Sequence, residues 1–183
     1  MINRIQILQV LRSIRQPMDW NAIYESQIPR IYNYFLYRIC NRELAQDLTA
    51  ITFERAWKAR RKYNTIIASR STWLLGIARN VLREHFRRNR TIENETEPIQ
   101  NNEQLPSTLN LEQSLQEQQD KELLQSFLLE LPEREHDLIA LKYGAGLSNR
   151  EIARTTGLSE SNVGSILHRT VTSLRRKYEQ RHG

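Results

Sequence analysis

Residues 148–169, SNREIARTTGLSESNVGSILHR, decide how the C-terminal part of the chain is read. Ser148 and Glu151 stand at capping-box spacing, where the hydroxyl accepts from an orphan helix amide and the carboxylate reaches back to the cap. Ile152 and Ala153 give the helix that follows an apolar side. Thr156-Gly157-Leu158 interrupts it, and glycine supplies the positive φ of a tight corner. Ser159 is placed to cap a second helix, whose apolar residues Val163, Ile166, Leu167, Val171 and Leu174 recur at intervals of three and four. Glu160, Ser161, Gly164, Ser165, His168 and Arg169 fall on its other side. Two short helices at a glycine corner, the second with a polar outer face, form a helix-turn-helix pattern. A solvated helical hairpin shares it, so the pattern speaks for a fold before it speaks for a ligand. Gly164 inside the second helix costs about 1 kcal/mol relative to alanine. That cost points to close approach of something to the backbone, DNA being one candidate.

Charge is unevenly spread over the 183 residues: residues 1–90 carry a net of +11, residues 91–130 a net of −8 and residues 131–183 a net of +3. Two basic blocks around an acidic strip point to a polyanionic partner for the ends and another role for the middle. Cys40 is the only cysteine, which excludes an internal disulfide and fits a reducing compartment, and its apolar surroundings make it a structural residue. His85, His136, His168 and His182 have no partner at zinc spacing, so neither a metal nor a cofactor is expected. The opening residues lack the uninterrupted apolar core of a signal peptide, and nothing later is apolar enough to span a bilayer. A cytoplasmic protein is expected. Ile5, Leu8, Leu11 and Ile14 make residues 1–18 an amphipathic N-terminal extension, ended by Pro17.

Upstream of the quoted stretch, helical periodicity dominates. Trp20, Ile23, Tyr24, Ile28, Ile31, Phe35 and Ile39 form one stripe, with Pro29 marking a break or kink that would divide it. A second helix spans about residues 42–63 on Leu44, Leu48, Ile51, Phe53, Ala56 and Trp57, ending in Lys58, Arg60, Arg61 and Lys62. A third begins near Ser71 and repeats through Trp73, Leu74, Ile77, Ala78, Val81, Leu82 and Phe86. Its outward positions include Arg79, Asn80, Arg83, Arg87 and Arg88, and residues 64–70 form the preceding loop. Between Phe86 and Phe127 there is no aromatic residue, and this Gln-, Asn- and Glu-rich interval cannot bury enough apolar area to offset its ordering. It reads as a linker that turns helical toward Gln118. Leu123, Leu124, Phe127, Leu128 and Leu131 then make a helix stopped by Pro132, and Leu138, Ile139, Leu141 and Tyr143 another, closed by Gly144 and Gly146. No segment alternates as a strand. The expected fold class is all-α, with two small helical domains joined by a flexible acidic linker and bounds of 1–18, 19–90, 91–120 and 121–183.

Cations that track phosphates beside Tyr63 and Trp73, on which bases can stack, are the ingredients of single-strand binding. Core packing of Trp57 and Trp73, with solvated arginines, accounts for the same composition, so composition leaves the choice open. The order of motifs goes further. DLTAITFERAWKA (47–59), STWLLGIARNVLREHFRR (71–88) and, after the linker, LPEREHDLIALKYGAGLSNREIARTTGLSESNVGSILHRTVTSLRRK (131–177) resemble the extracytoplasmic-function (ECF) group of bacterial sigma factors, the smallest of the sigma-70 type. The resemblance covers about residues 20–90 and 120–178.

That resemblance implies a sigma factor that binds core RNA polymerase and directs promoter-specific initiation. Region 2 would dock on the clamp helices of the largest subunit through Asp47, Phe53, Glu54 and Trp57. It would also read and open the minus-ten element as single strand. Lys62, Tyr63, Arg70 and Trp73 are implied at one end of that surface, and Arg79, Asn80, Arg83, Arg87 and Arg88 along the third helix. Asn80 falls where the family often reads a promoter base, and the 64–70 loop where a flipped base sits. Region 4 would contact the polymerase flap and place the helix from Ser159 in the major groove of the minus-thirty-five element. The implied duplex contacts are Arg150, Ser159, Ser161, Asn162, Ser165, His168 and Arg169, followed by Arg175 and Arg176. The acidic linker, with Glu93, Glu95 and Glu97, would thread toward the polymerase active site. An anti-sigma partner accords with the habit of the family; membrane insertion and a small-molecule substrate do not.

Departures from the pattern bear on these expectations. Ala50 and Ile51 stand where the family usually has Gln and an acidic residue, which shifts polar docking to Asp47 and Glu54. Arg70 replaces an aromatic. Gly164 and Ile166 stand where basic residues are common, leaving fewer upstream contacts and more room for shape readout. Two other functions fit parts of the chain. A stand-alone helix-turn-helix regulator would use the first block as a sensor, and a recombinase would need a nucleophilic Ser or Tyr constellation that the first block lacks. No nucleophile–base pair or phosphate loop marks an enzyme.

Overall fold

The computed structural model describes residues 19–64, 67–93 and 111–182. The Asp19 carboxylate accepts from the amides of Asn21 and Ala22 at 3.1 and 3.2 Å and starts α1, Trp20–Ile39. This is one helix, not two: it runs through Pro29. Pro29 is exposed, while Ile23, Ile31, Tyr34 and Phe35 are buried on either side of it in sequence, so packing of the whole stripe overrides the local tendency to break. The chain turns at Cys40, in the left-handed region at φ 55°, and Asn41 caps α2, Arg42–Ala59, by accepting from the Leu44 amide at 2.9 Å. A 3₁₀ turn, Arg60–Lys62, follows. Helix α3, Arg70–Glu93, starts one residue earlier and ends five later than the periodicity indicates. Ser69 caps it, accepting from the Thr72 amide at 3.2 Å.

Helix α4, Leu111–Leu129, begins inside the stretch assigned to the linker. The rest of that stretch from residue 94 to 110, with Glu95 and Glu97, and the 1–18 extension lie outside the described residues. Pro132 precedes α5, Glu133–Ile139, which widens into a π turn, Ala140–Gly144. The helix-turn-helix consists of α6, Asn149–Thr156, and α7, Glu160–His182. No helix among the described residues is long and apolar enough to cross a membrane.

Helices α1, α2 and α3 enclose Ile31, Phe35, Ala45, Leu48, Leu74, Leu75 and Ala78. Leu138, Leu141, Leu147, Ile152 and Val163 are the interior of the C-terminal block. Each fully buried Leu or Ile contributes about 1.5–3 kcal/mol. The sequence pointed to two separate ends, but the structure shows their interiors as one continuous cluster, with α1 packed on the π turn and α3 on α6. Gly144 makes this possible: a Cβ there would stand 2.8 Å from the carbonyl oxygen of Asn33 on α1.

Candidate nucleic-acid interface

The C-terminal block presents its polar helix as the local sequence dictates. Ser148 accepts from the Glu151 amide at 3.3 Å while the Glu151 carboxylate accepts from the Ser148 amide at 2.9 Å, completing the capping box. That backbone hydrogen bond holds the Glu151 carboxyl below its ordinary range, so the cap stays charged at neutral pH. Gly157 adopts φ 77° and donates to the Ala153 carbonyl. Ser159 then caps α7 through the Asn162 amide at 3.2 Å. Val163, Ile166 and Leu167 turn inward, and Ser159, Ser161, Asn162, Ser165, His168 and Arg169 are all exposed, as are Arg175 and Arg176 further along. Arg150 is exposed on α6, with its Nε 4.0 Å from Glu160. A Cβ at Gly164 would meet Asn149 Nδ2 at 3.5 Å, an ordinary van der Waals contact, so the crossing of α6 and α7 does not itself require glycine there.

The N-terminal block splits its expected single-strand residues into two groups. Tyr63 and Trp73 pack together with ring centroids 4.9 Å apart, Trp20 lies 6.3 Å from Trp73, and Trp57 meets Trp20 edge-on at 5.4 Å. The Tyr63 hydroxyl donates to the Ala68 carbonyl at 3.2 Å, pinning the loop before α3, and burial raises its pKa so that the proton stays on. Lys62 and Arg70 are exposed beside this cluster, and Ile67 at the loop is 80% exposed. Further along α3, Asn80, Arg83, Arg87 and Arg88 are exposed, and the first three line a cleft facing Leu129, Leu131 and Glu133 of the C-terminal block. Arg79 departs from its expected outward position. Its side chain is 18% exposed, pairs with Asp137 at 2.8 Å and donates to the Thr155 carbonyl at 2.7 Å.

On α2, Asp47, Glu54 and Trp57 are exposed, and Trp57 carries the Arg60 guanidinium over its ring at 3.9 Å. Phe53 is a correction: it is buried against Tyr24 and so belongs to the core and not to the outer face. Ile51, 36% exposed, offers apolar surface in its stead. Arg55 joins α2 to α3 by donating two hydrogen bonds, of 2.9 and 2.8 Å, to the Glu84 carboxylate, whose pKa is lowered by that bond. Cys40 is half-buried, and burial pushes its thiol up to about 11. It is therefore a poor nucleophile at neutral pH. Among the described residues no His, Cys, Asp and Glu group could hold a metal ion.

Sequence reasoning missed a polar knot between the blocks. Asp137 accepts from the Tyr34 hydroxyl at 2.8 Å and from Arg79 Nε at 3.0 Å, and Arg38 Nε lies 4.0 Å from it. Burial, then the Asp137 carboxylate, raises the Tyr34 pKa well above its ordinary value. His136 Nε2 is 2.6 Å from the Tyr37 carbonyl. The only sequence signal was a charged residue, Arg38, set in an apolar stripe.

Two family models match the chain in order: Sigma-70 region 2 over residues 23–92 and Sigma-70, region 4 over residues 121–174. RNA polymerase sigma factor YlaC of Bacillus subtilis is 30% identical over 156 residues, spanning 84% of this chain and 88% of its own. The chain belongs to the ECF sigma factors of the sigma-70 family. ECF RNA polymerase sigma factor BldN of Streptomyces coelicolor is also 30% identical, over 159 residues and 86% of this chain, which spans 59% of BldN's length. The fold is shared with the sigma factor RpoE from Bartonella quintana, solved in complex with the anti-sigma factor NepR. That match has a TM-score of 0.72 at 18% identity and covers 89% of this chain and 98% of RpoE. In these terms α1–α3 form region 2 of this sigma factor and α4–α7 form region 4.

Proposed function

We propose that this sigma factor binds core RNA polymerase and directs promoter-specific initiation, with region 2 handling separated strands and region 4 intact duplex. The observation that carries this reading is the pairing of two surfaces of different chemistry on one chain. Region 2 sets the Tyr63, Trp73 and Trp57 cluster beside Lys62 and Arg70, which suits unstacked bases and their phosphates. Opening DNA costs a few kcal/mol per step, and stacking on the freed strand offsets it. Asn80, Arg83, Arg87 and Arg88 extend that surface along α3. Region 4 offers a capped helix with small polar residues and one arginine outward, which suits the major groove.

Docking on the polymerase clamp is assigned to the exposed side of α2, where Asp47, Glu54, Ile51 and Trp57 project. A second docking surface is the apolar groove of Leu124, Phe127, Tyr143 and Leu174 in region 4, suited to an apolar helix of the flap. The protein acts as a cytoplasmic specificity subunit and not as a catalyst, and an anti-sigma partner of the kind bound to RpoE is consistent with its two exposed basic surfaces. Purified chain mixed with core polymerase and linear promoter fragments tests the reading. Specific run-off transcripts that need both components are expected. A tight operator complex with no effect on core polymerase would overturn it in favour of a stand-alone regulator.

A further inference from the structure

Helices α1, α3 and α5 wall a cavity of about 370 Å³. Four arginines line it: Arg38 from α1, Arg79 and Arg83 from α3, and Arg134 from α5. Two carboxylates oppose them, Asp137 and, exposed at the rim, Glu133. Phe86 and Leu158 supply an apolar wall.

The buried charges of this cavity do not balance. Both oxygens of Asp137 are engaged, one by the Tyr34 hydroxyl at 2.8 Å and the other by Arg79 at 2.8 and 3.0 Å. Burial and the Asp137 carboxylate keep the proton on Tyr34, so that hydroxyl supplies no counter-charge. Arg38 is left over. Its side chain is 6% exposed, and its Nε lies 4.0 Å from Asp137, beyond hydrogen-bond reach. Among the described residues, that nitrogen is the one buried side-chain polar atom with no hydrogen-bond partner. Two buried guanidiniums thus share one carboxylate, and a desolvated cation without its own anion is costly to keep. A second anion in the cavity removes that cost.

Guanidinium groups match the oxygens of a phosphoryl group, and Arg38 faces the cavity beside the exposed Arg134. The volume lies at the small end of ligand pockets, which span about 300–1,000 Å³, and exceeds what bare phosphate fills. A polynucleotide phosphodiester carries one charge and has chain on either side, which a cavity of this size between helices does not admit.

We propose that this cavity binds a small phosphate monoester of mononucleotide size, its phosphoryl group held by Arg38 and Arg134 and its ring body lying against Phe86 and Leu158. The site is independent of the promoter reading. Its walls come from both regions, so the ligand stabilises their docked arrangement by mass action.

The full chain, without polymerase, is titrated with inorganic phosphate, ribose 5-phosphate, AMP and adenosine at fixed ionic strength, by calorimetry and thermal melting. AMP is expected to bind most tightly, ribose 5-phosphate less and phosphate least, with a melting temperature that rises with AMP concentration. Adenosine, which lacks the phosphoryl group, should not bind. Arg38→Met and Arg134→Ala should each weaken AMP binding about tenfold, the effect of losing one charge-assisted hydrogen bond. Circular dichroism confirms folding, and if Arg38→Met does not fold, Arg134→Ala decides alone. Absence of saturable binding below about 1 mM would overturn the site, as would unchanged AMP affinity in the folded variants. AMP binding no tighter than phosphate or adenosine would overturn the assigned ligand class. Loss of AMP binding in Arg88→Ala, with Arg38→Met unaffected, would move the nucleotide to the promoter surface and overturn the cavity as its site.

Discussion

Region 4 and region 2 build their DNA surfaces by different means. In region 4 every decisive contact is local: Ser148 with Glu151, Gly157 with Ala153, Ser159 with Asn162. In region 2 the surface is assembled from distant pieces: Trp20, Trp57, Tyr63 and Trp73 come from three helices and a loop. A locally coded surface tolerates little change in a few capping positions. An assembled one depends on the core beneath it, so its failures should spread.

The comparison breaks most visibly through the shared core. Ile152→Ala, at a fully buried position in region 4, should cost about 2–5 kcal/mol. Because the two interiors are continuous, hydrogen exchange should rise in α1 as well as in α6 and α7. Loss of protection confined to region 4 would show that the regions fold independently. Next in size, Asn80→Ala should slow promoter opening about tenfold, or about 1.4 kcal/mol, with polymerase association nearly unchanged, as read by permanganate footprinting and by core-binding titration. Equal loss of both would remove Asn80 from the base-reading surface. Ser148→Ala should lower stability by about 1 kcal/mol in a chemical melt, the ordinary worth of a capping residue. Arg169→Ala should have the smallest effect, weakening duplex binding and reducing the salt slope by about 0.9 if it meets one phosphate.

Acidification sharpens the same comparison at the junction. Burial, and secondarily Arg38, lowers the His136 pKa, against the opposing Tyr37 carbonyl and Asp137; Glu133 lies in the same cleft. The separated or unfolded chain therefore binds a proton more readily than the docked one. Docked stability falls as pH drops below the ordinary histidine value of about 6.5, and scattering at pH 7.5 and 5.5 should show expansion at the lower value.

What was legible in the sequence follows the same division. The helix-turn-helix could be read residue by residue because caps and a positive-φ glycine act within a few positions. The aromatic stripes of α1–α3 were legible as helices, but which residue of a stripe meets solvent was not. Phe53 and Trp57 stand four apart on α2, yet Phe53 is buried against Tyr24 while Trp57, edge-on to Trp20 and beneath the Arg60 guanidinium, is half-exposed. Pro29 signalled a break that packing on either side suppresses. Asp137 gave no signal and Gly144 read only as the close of a helix, since their partners Tyr34 and Asn33 lie more than 100 residues away along the chain. Arg79 looked outward on a helical wheel and turned out to face another domain.

The Arg55–Glu84 bridge has a mechanical consequence. Two parallel hydrogen bonds clasp α2 to α3 through side chains 38% and 33% exposed, so under the proposed function the helix offered to the enzyme and the helix offered to the promoter resist sliding past one another without being locked.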